Sequence, residues 1–197
     1  MTDQPPKVVI LAGPNGAGKS TSAAKLLLGP LCVGEFVNAD TIAQGLSAFA
    51  PGRVALIAGR VMLRRLKELA AQRASFGYET TLASRSYVRW LKELKAGGYE
   101  IHLIFLWLPT AEMAVARVAD RVRSGGHQVP EFTIRRRYAA GLANLRTLYL
   151  PLANSWKIVD NTRRNYPGLI AAGFAGSPPE IYVESAWRRI MEGEQRP

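Results

Sequence analysis

Cysteine is nearly absent: the 197-residue chain holds only Cys32, which rules out an intrachain disulfide and fits a reducing cytoplasm, the location expected for it. Histidine is almost as scarce. His102 falls within a strand pattern and His127 follows two glycines, so neither has the companions that a metal centre needs. Long apolar runs are missing too. The longest, L-I-F-L-W-L at 103–108, is far short of the roughly 20 residues that cross a bilayer. Residues 1–7 contain no apolar stretch, so no secretory signal is expected. Internal repeats, low-complexity tracts and domain-separating linkers are not found either, and one domain over 1–197 is expected.

Acidic residues are the minority. Lys and Arg number 26 against 15 Asp and Glu, giving a net charge of +11 and a pI near 10.2, with arginine outnumbering lysine. Such a balance suits nucleic acid, an anionic membrane surface or small polyanionic substrates. No nucleic-acid motif of the usual spacing and no long basic tail accompanies it, so neither nucleic acid nor membrane is the expected partner. Arginine offers planar, bidentate recognition of phosphate where lysine offers a point charge. A site that handles a triphosphate and an anionic acceptor would use many arginines.

Residues 13–20 read G-P-N-G-A-G-K-S, a complete G-x-x-x-x-G-K-[ST] phosphate-binding loop. It lies between the apolar run V-V-I-L at 8–11 and a helix-forming stretch at 21–28. Backbone N–H groups of such a loop converge on phosphate oxygens. Glycine permits the backbone angles, and the helix N-terminus behind adds partial positive charge. Gly13, Pro14, Asn15, Gly16, Ala17, Gly18, Lys19, Ser20 and Thr21 are therefore expected to hold a nucleoside triphosphate. Lys19 would reach the β- and γ-phosphates, and the Ser20 hydroxyl would ligate Mg²⁺.

Short apolar strands alternate with helical segments, which predicts an α/β fold with a mainly parallel sheet and helices on both faces. Strands are expected over 7–12, 35–38, 76–79, 100–108 and 156–160, making a five-stranded sheet. Helices are expected over 19–28, 39–46, 53–74, 86–96, 110–124 and 131–150. In the 53–74 stretch, Val54, Ile57, Val61, Leu66 and Leu69 form the expected apolar side, and Arg60, Arg64 and Lys67 a solvated one. Segments 168–176 and 181–183 suggest a short edge hairpin before a last helix over 184–191. Trp90, Trp107, Trp156 and Trp187 are expected to pack rather than to stack on a ligand.

Ligands of an open parallel sheet bind beyond the carboxyl ends of its strands. The distinctive polar residues fall at those ends: the phosphate loop, Asn38-Ala39-Asp40, Glu79-Thr80-Thr81, the stretch 124–130, and Asp160-Asn161-Thr162-Arg163. Asp40 suits a general base that takes the proton of an attacking hydroxyl, or else the N-cap of a helix starting at Thr41. Glu79 suits acceptor hydroxyls or metal-bound water, or else an ion pair with a nearby arginine. Arg85 and His127 are further candidates for substrate contact. Arg117 and Arg121 are four apart on one helix face and could clamp a transferring phosphoryl group, unless they make surface ion pairs, with Asp120 close enough to serve. Arg135, Arg136 and Arg137 are about 100° apart around a helix, so one facing the site is the expectation.

Together, G-P-N-G-A-G-K-S at 13–20, Val37-Asn38-Ala39-Asp40, Glu79-Thr80-Thr81, G-G-H-Q-V-P at 125–130 and Asp160-Asn161-Thr162 resemble the zeta toxin family, and its compact bacterial members more closely, over about 7–165. The resemblance implies a three-layer P-loop kinase fold with a lid at about 117–137 and a C-terminal hairpin and helix at about 166–193. It implies ATP and Mg²⁺, with Lys19 and Ser20 as phosphate and metal residues and Asp40 as catalytic base. Glu79 is implied in the acceptor site, with Thr80 beside it. Arg117, Arg121 and one of Arg135, Arg136 and Arg137, taken as Arg137, are implied around the γ-phosphate, and Asn161 near the nucleotide. The implied acceptor is a UDP-activated amino sugar such as UDP-N-acetylglucosamine, and an antitoxin is an implied protein partner. The chain lacks the C-terminal extension of the long members and much of their acceptor-side sequence. Two other readings share the loop: an antibiotic- or gluconate-type small-molecule kinase, and a nucleotide-gated binding module. The second lacks the Asn-Lys-x-Asp string that usually selects guanine.

Overall fold

A computed structural model of the chain describes residues 4–27, 33–126, 128–163 and 167–192. Strand β1 (Lys7–Ala12) is the centre: Val8, Val9, Ile10, Leu11 and Ala12 are all buried, as expected of a strand covered on both faces. Parallel to it on either side run β3 (Phe76–Thr80) and β4 (Glu100–Trp107); β2 (Glu35–Val37) lies outside β3, and β5 (Ser155–Asp160) outside β4. These are the five predicted strands, each within one residue at either end. The predicted hairpin is β6 (Gly168–Phe174) with β7 (Glu180–Ile181). It continues the same sheet antiparallel from β5, so the sheet has seven strands and not five, in the order β2-β3-β1-β4-β5-β6-β7.

Register decides where the site forms. Ala12 lies opposite Thr80 on one side and Phe105 on the other, and Trp107 lies opposite Asp160. Strands β1 and β3 therefore end level, as do β4 and β5 two residues farther on, and the segments that follow them leave from one rim.

Helix α1 (Lys19–Leu27) follows the loop; α2 (Ala39–Leu46) follows β2, and a 3₁₀ turn (Pro51–Val54) leads into α3 (Ala55–Ala71). Helix α4 (Ser86–Ala96) covers the face onto which Phe76 and Tyr78 point. Trp90 packs against Phe76 at 6.1 Å between ring centroids, and Tyr87 against Tyr78 at 5.5 Å. Register puts Trp156 on that same face, where it stacks on Trp187 of α8 (Glu184–Glu192) at 5.7 Å. The chain moves from β1 to β2 in the direction opposite to its other crossovers, so right-handed connection sends α1 to the other face.

Two helices differ from expectation. In α3 the buried residues are Ala58, Met62, Leu66 and Leu69, whereas Ile57 and Val61 are 52% and 41% exposed. The helix follows a 3₁₀ turn, and its inward line runs at steps of four, four and three, which Ile57 and Val61 do not share. The helix predicted over 131–150 is α6 (Glu131–Asn144), then a π-helical turn (Leu145–Tyr149) and a short α7 (Leu150–Leu152). Pro151 has no N–H to donate back, and the Leu150 N–H reaches Leu145 O five residues earlier. Helix α5 (Ala111–Arg123) begins at the Thr110 cap, whose hydroxyl accepts from Met113 N at 3.1 Å.

Helix α6 comes so close to the end of β3 that a Cβ on Gly141 would lie 2.5 Å from Thr81 O. Alanine in a helix interior ordinarily gains about 0.8–1 kcal/mol over glycine. Gly141→Ala should instead lose about 1–3 kcal/mol, because backbone must shift. Denaturant unfolding checks this, and an unchanged or raised midpoint would show that α6 yields freely.

Candidate functional site

The loop leaves β1 under tight constraint. Gly13 has φ +146°, and a Cβ there would lie 2.4 Å from Leu106 O, so only glycine fits. Its N–H donates to Thr80 O at 3.2 Å, tying the loop to β3. Lys19 then folds back. Its Nζ donates to Gly13 O and Pro14 O at 2.9 Å each and sits 3.6 Å from Glu79 Oε1. Burial pulls the Lys19 pKa below the ordinary lysine value; the Glu79 and Asp40 carboxylates oppose that shift, and the Arg121 charge adds to it. Asp40, Glu79 and Arg121 therefore all lie within electrostatic reach of Lys19.

Glu79 joins three elements. Ser20 Oγ at the start of α1 donates to Glu79 Oε2 at 2.7 Å, and Asn38 Nδ2 donates to the same oxygen at 2.7 Å. Asn38 Oδ1 accepts from Asp40 N at 2.7 Å and so caps α2. The cap role that Asp40 could have filled belongs to Asn38, and the helix starts at Ala39, two residues before Thr41. Asp40 stands in the first turn with its side chain exposed. The Ser20 hydroxyl donates to Glu79 and accepts from Asn38 Nδ2 at 3.3 Å, which leaves it one lone pair for a cation, so Ser20 and Glu79 fit Mg²⁺. No group of three or more His, Cys, Asp or Glu gathers for a metal among the described residues. Magnesium held at Ser20 would take its other oxygens from substrate phosphates and water.

These groups open onto one cleft of about 880 Å³. Its walls include Asn15, Gly16, Gly18, Lys19, Ser20 and Thr21 from the loop, and Asp40, Glu79 and Thr80 from the neighbouring strand ends. Arg117 and Arg121 of α5, Arg137 of α6, and Asn161 after β5 also line it. Gly13, Pro14 and Ala17 form the back of the loop and do not line the cleft. Arg85 departs from expectation: it is not in the lining, and its Nε donates to Asn144 Oδ1 at 3.3 Å because the residue preceding α4 turns its side chain towards α6. His127 lies outside the described residues.

Local contacts sort the arginines. Arg135 is ion-paired with Glu112 and Glu131, and Arg136 lies over the Phe132 ring at 5.7 Å, which leaves Arg137 as the member of that run in the cleft. Arg117 Nη2 donates to Thr162 O at 2.5 Å, and Asp120 pairs with Arg123. Asn161 is buried, and its Nδ2 donates to Ala17 O at 2.6 Å, so the turn after β5 braces the loop.

Asn38 stands at the rim in sequence with no task evident there, although an Asn between a strand and a helix is an N-cap signal that could have revealed it. Tyr87, Met62 and Gln44 also line the cleft. They had no distinguishing signal, because an aromatic or Met at helical spacing reads as core. Burial raises the pKa of the Tyr87 hydroxyl, which keeps it a neutral phenol.

Known proteins share this architecture. The AAA domain family matches residues 8–143. An uncharacterized protein of Haemophilus influenzae is 30% identical over 132 residues, 67% of this chain and 92% of that protein. A chain of the AvrRxo1-ORF1:AvrRxo1-ORF2 complex with ATP is similar with a TM-score of 0.75 at 17% identity, over 95% of this chain; the present chain spans only 64% of that one. The PezAT toxin–antitoxin system of Streptococcus pneumoniae gives 0.66 at 14% identity, over 99% of this chain and 81% of that one. A proposed kinase of Chloroflexus aurantiacus gives 0.59 at 18% identity, over 82% and 91%. The fold is thus P-loop kinase-like, in keeping with the resemblance to zeta toxins.

Removing the Asn38 side chain takes away a helix cap and one of Glu79's donors together. Asn38→Ala should cost about 1–2 kcal/mol of stability. Chemical denaturation measures it, and a loss under about 0.3 kcal/mol would mean that water replaces the cap without penalty.

Proposed function

The chain belongs to the AAA domain family, and from that premise we propose that it is an ATP-dependent phosphotransferase, a zeta-toxin-like kinase that moves the γ-phosphoryl group to a hydroxyl of a small acceptor. The observation that carries this reading is that Lys19, Ser20, Asp40, Glu79, Arg117, Arg121 and Arg137 line a single cleft. Phosphoryl transfer requires mainly positioning and charge stabilisation, and each of these groups offers one or the other.

In this proposal the loop amides and Lys19 cradle the donor's phosphates. Lys19 leaves the carbonyls of Gly13 and Pro14 for phosphate oxygens. Magnesium bound at Ser20 would neutralise charge on the β- and γ-phosphates, with Glu79 holding the Ser20 hydroxyl in place. Asp40 accepts the proton of the acceptor hydroxyl as that oxygen attacks. Arg117, Arg121 and Arg137 stabilise negative charge on the transferring group. The proposed acceptor is a UDP-activated amino sugar such as UDP-N-acetylglucosamine, bound in the cleft beyond Asp40 and Thr80. Two of the similar structures are assemblies of two proteins, AvrRxo1-ORF1 with ORF2 and PezAT, which supports an antitoxin as partner. Among the described residues no single helix is long and apolar enough to cross a membrane. A cytoplasmic enzyme with free access to ATP is the reading that accompanies the kinase.

Incubation with ATP, Mg²⁺ and a panel of UDP-sugars and small alcohols, read by mass spectrometry, should reveal one acceptor that gains a phosphate. Asp40→Ala should slow that transfer about 10²–10⁴-fold while ATP affinity is kept, because a proton acceptor is lost and not a phosphate ligand. Undiminished transfer in the variant would refute the base assignment. No transfer to any hydroxyl compound would count against the kinase itself.

A further inference from the structure

Asn15 is the third residue of the loop and is only 8% exposed, yet its Oδ1 is buried without a hydrogen-bond partner. Buried amide oxygens are nearly always satisfied, and leaving one orphaned is destabilising. Asn15 also belongs to the wall of the cleft, so a molecule bound there lies beside its amide.

Its neighbours show which part of that molecule comes near. Lys19 Nζ, the group that reaches terminal phosphates in such loops, rests on the carbonyls of Gly13 and Pro14, immediately before Asn15. On the other side Gly16 has φ +77°, and a Cβ there would lie 2.9 Å from Arg117 Cβ, so the loop tip abuts α5 where Arg117 and Arg121 project. Asn15 therefore stands between the lysine and the arginines, at the terminal-phosphate end of the loop rather than at the α1 end.

We infer that Asn15 reads the terminal phosphate: its amide donates a hydrogen bond to a γ-phosphate oxygen and makes the site prefer a nucleoside triphosphate to the diphosphate. The inference rests on the ATP-dependent reading above and adds a residue that selects the donor. A phosphate dianion offers only acceptors, so the amide meets it with Nδ2, and a half-turn about the last side-chain bond exchanges Oδ1 and Nδ2 in the same space. A diphosphate places no oxygen at that point and gains nothing from the amide. The side chain has to be neutral, because a carboxylate of the same shape would repel the phosphate.

Titration calorimetry of ATP and ADP with Mg²⁺ on wild type, Asn15→Ala and Asn15→Asp tests this, with thermal melting to confirm folding. Asn15→Ala should bind ATP about 10-fold more weakly and ADP within about twofold of wild type. Asn15→Asp should lose about 100-fold or more for ATP, and less for ADP. Equal weakening of ATP and ADP in Asn15→Ala would overturn the inference, since loop shape alone would then be at stake. So would Asn15→Asp binding ATP as wild type does, since the oxygen would then be accepting from the ligand. Wild-type protein that binds neither nucleotide would overturn the ATP-dependent reading first, and the inference with it.

Discussion

The Glu79 carboxylate is the constraint on which the site depends. It is only 10% exposed, and at the end of β3 it faces the Lys19 ammonium and accepts from Ser20 and Asn38. A charge held this far from water is tolerated only where partners compensate it, and the same holds for Lys19. Each makes the other affordable. Because Ser20 opens α1 and Asn38 caps α2, one carboxylate fixes how two helices and the phosphate loop meet the sheet. Level strand ends bring these partners within reach, since β1 and β3 are paired without offset through Ala12 and Thr80.

The excess positive charge is distributed with the same logic. Arg65, Arg89, Arg123, Arg135 and Arg188 make surface pairs with Glu or Asp, contacts of small individual worth. Arg117, Arg121 and Arg137 line the cleft together with Asp40, Glu79 and Asp120. The cleft thus brings both signs of charge to one phosphate loop. That mixture suits the proposed transfer, which needs a proton acceptor as well as cations for phosphate charge.

Much of this was legible in the chain itself. G-P-N-G-A-G-K-S with an apolar run before it located the loop, and the central strands were readable because double-sided burial leaves continuous apolar runs such as V-V-I-L. What escaped was whatever depends on phase or on neighbours distant in sequence. Ile57 and Val61 look inward on a helical wheel, but the 3₁₀ turn at Pro51–Val54 and the steps between Ala58, Met62, Leu66 and Leu69 set a different face. Pro151 changes the pitch of a helix that reads as continuous. Arg85 stands near the rim in sequence, yet Asn144, 59 residues away, draws it aside. The task of Asn38 depends on Glu79, 41 residues on, and no local pattern announces such a partner.

In the proposed mechanism Mg²⁺ binds at Ser20 and depends on Glu79, which holds that hydroxyl in place. The direct measurement is ATP affinity with and without Mg²⁺ in wild type and Glu79→Gln. The prediction is that Mg²⁺ tightens ATP binding to wild type, and that Glu79→Gln loses this gain while binding metal-free ATP at least as well, one negative charge having left the phosphate site. A variant that keeps the whole Mg²⁺ effect would contradict the account.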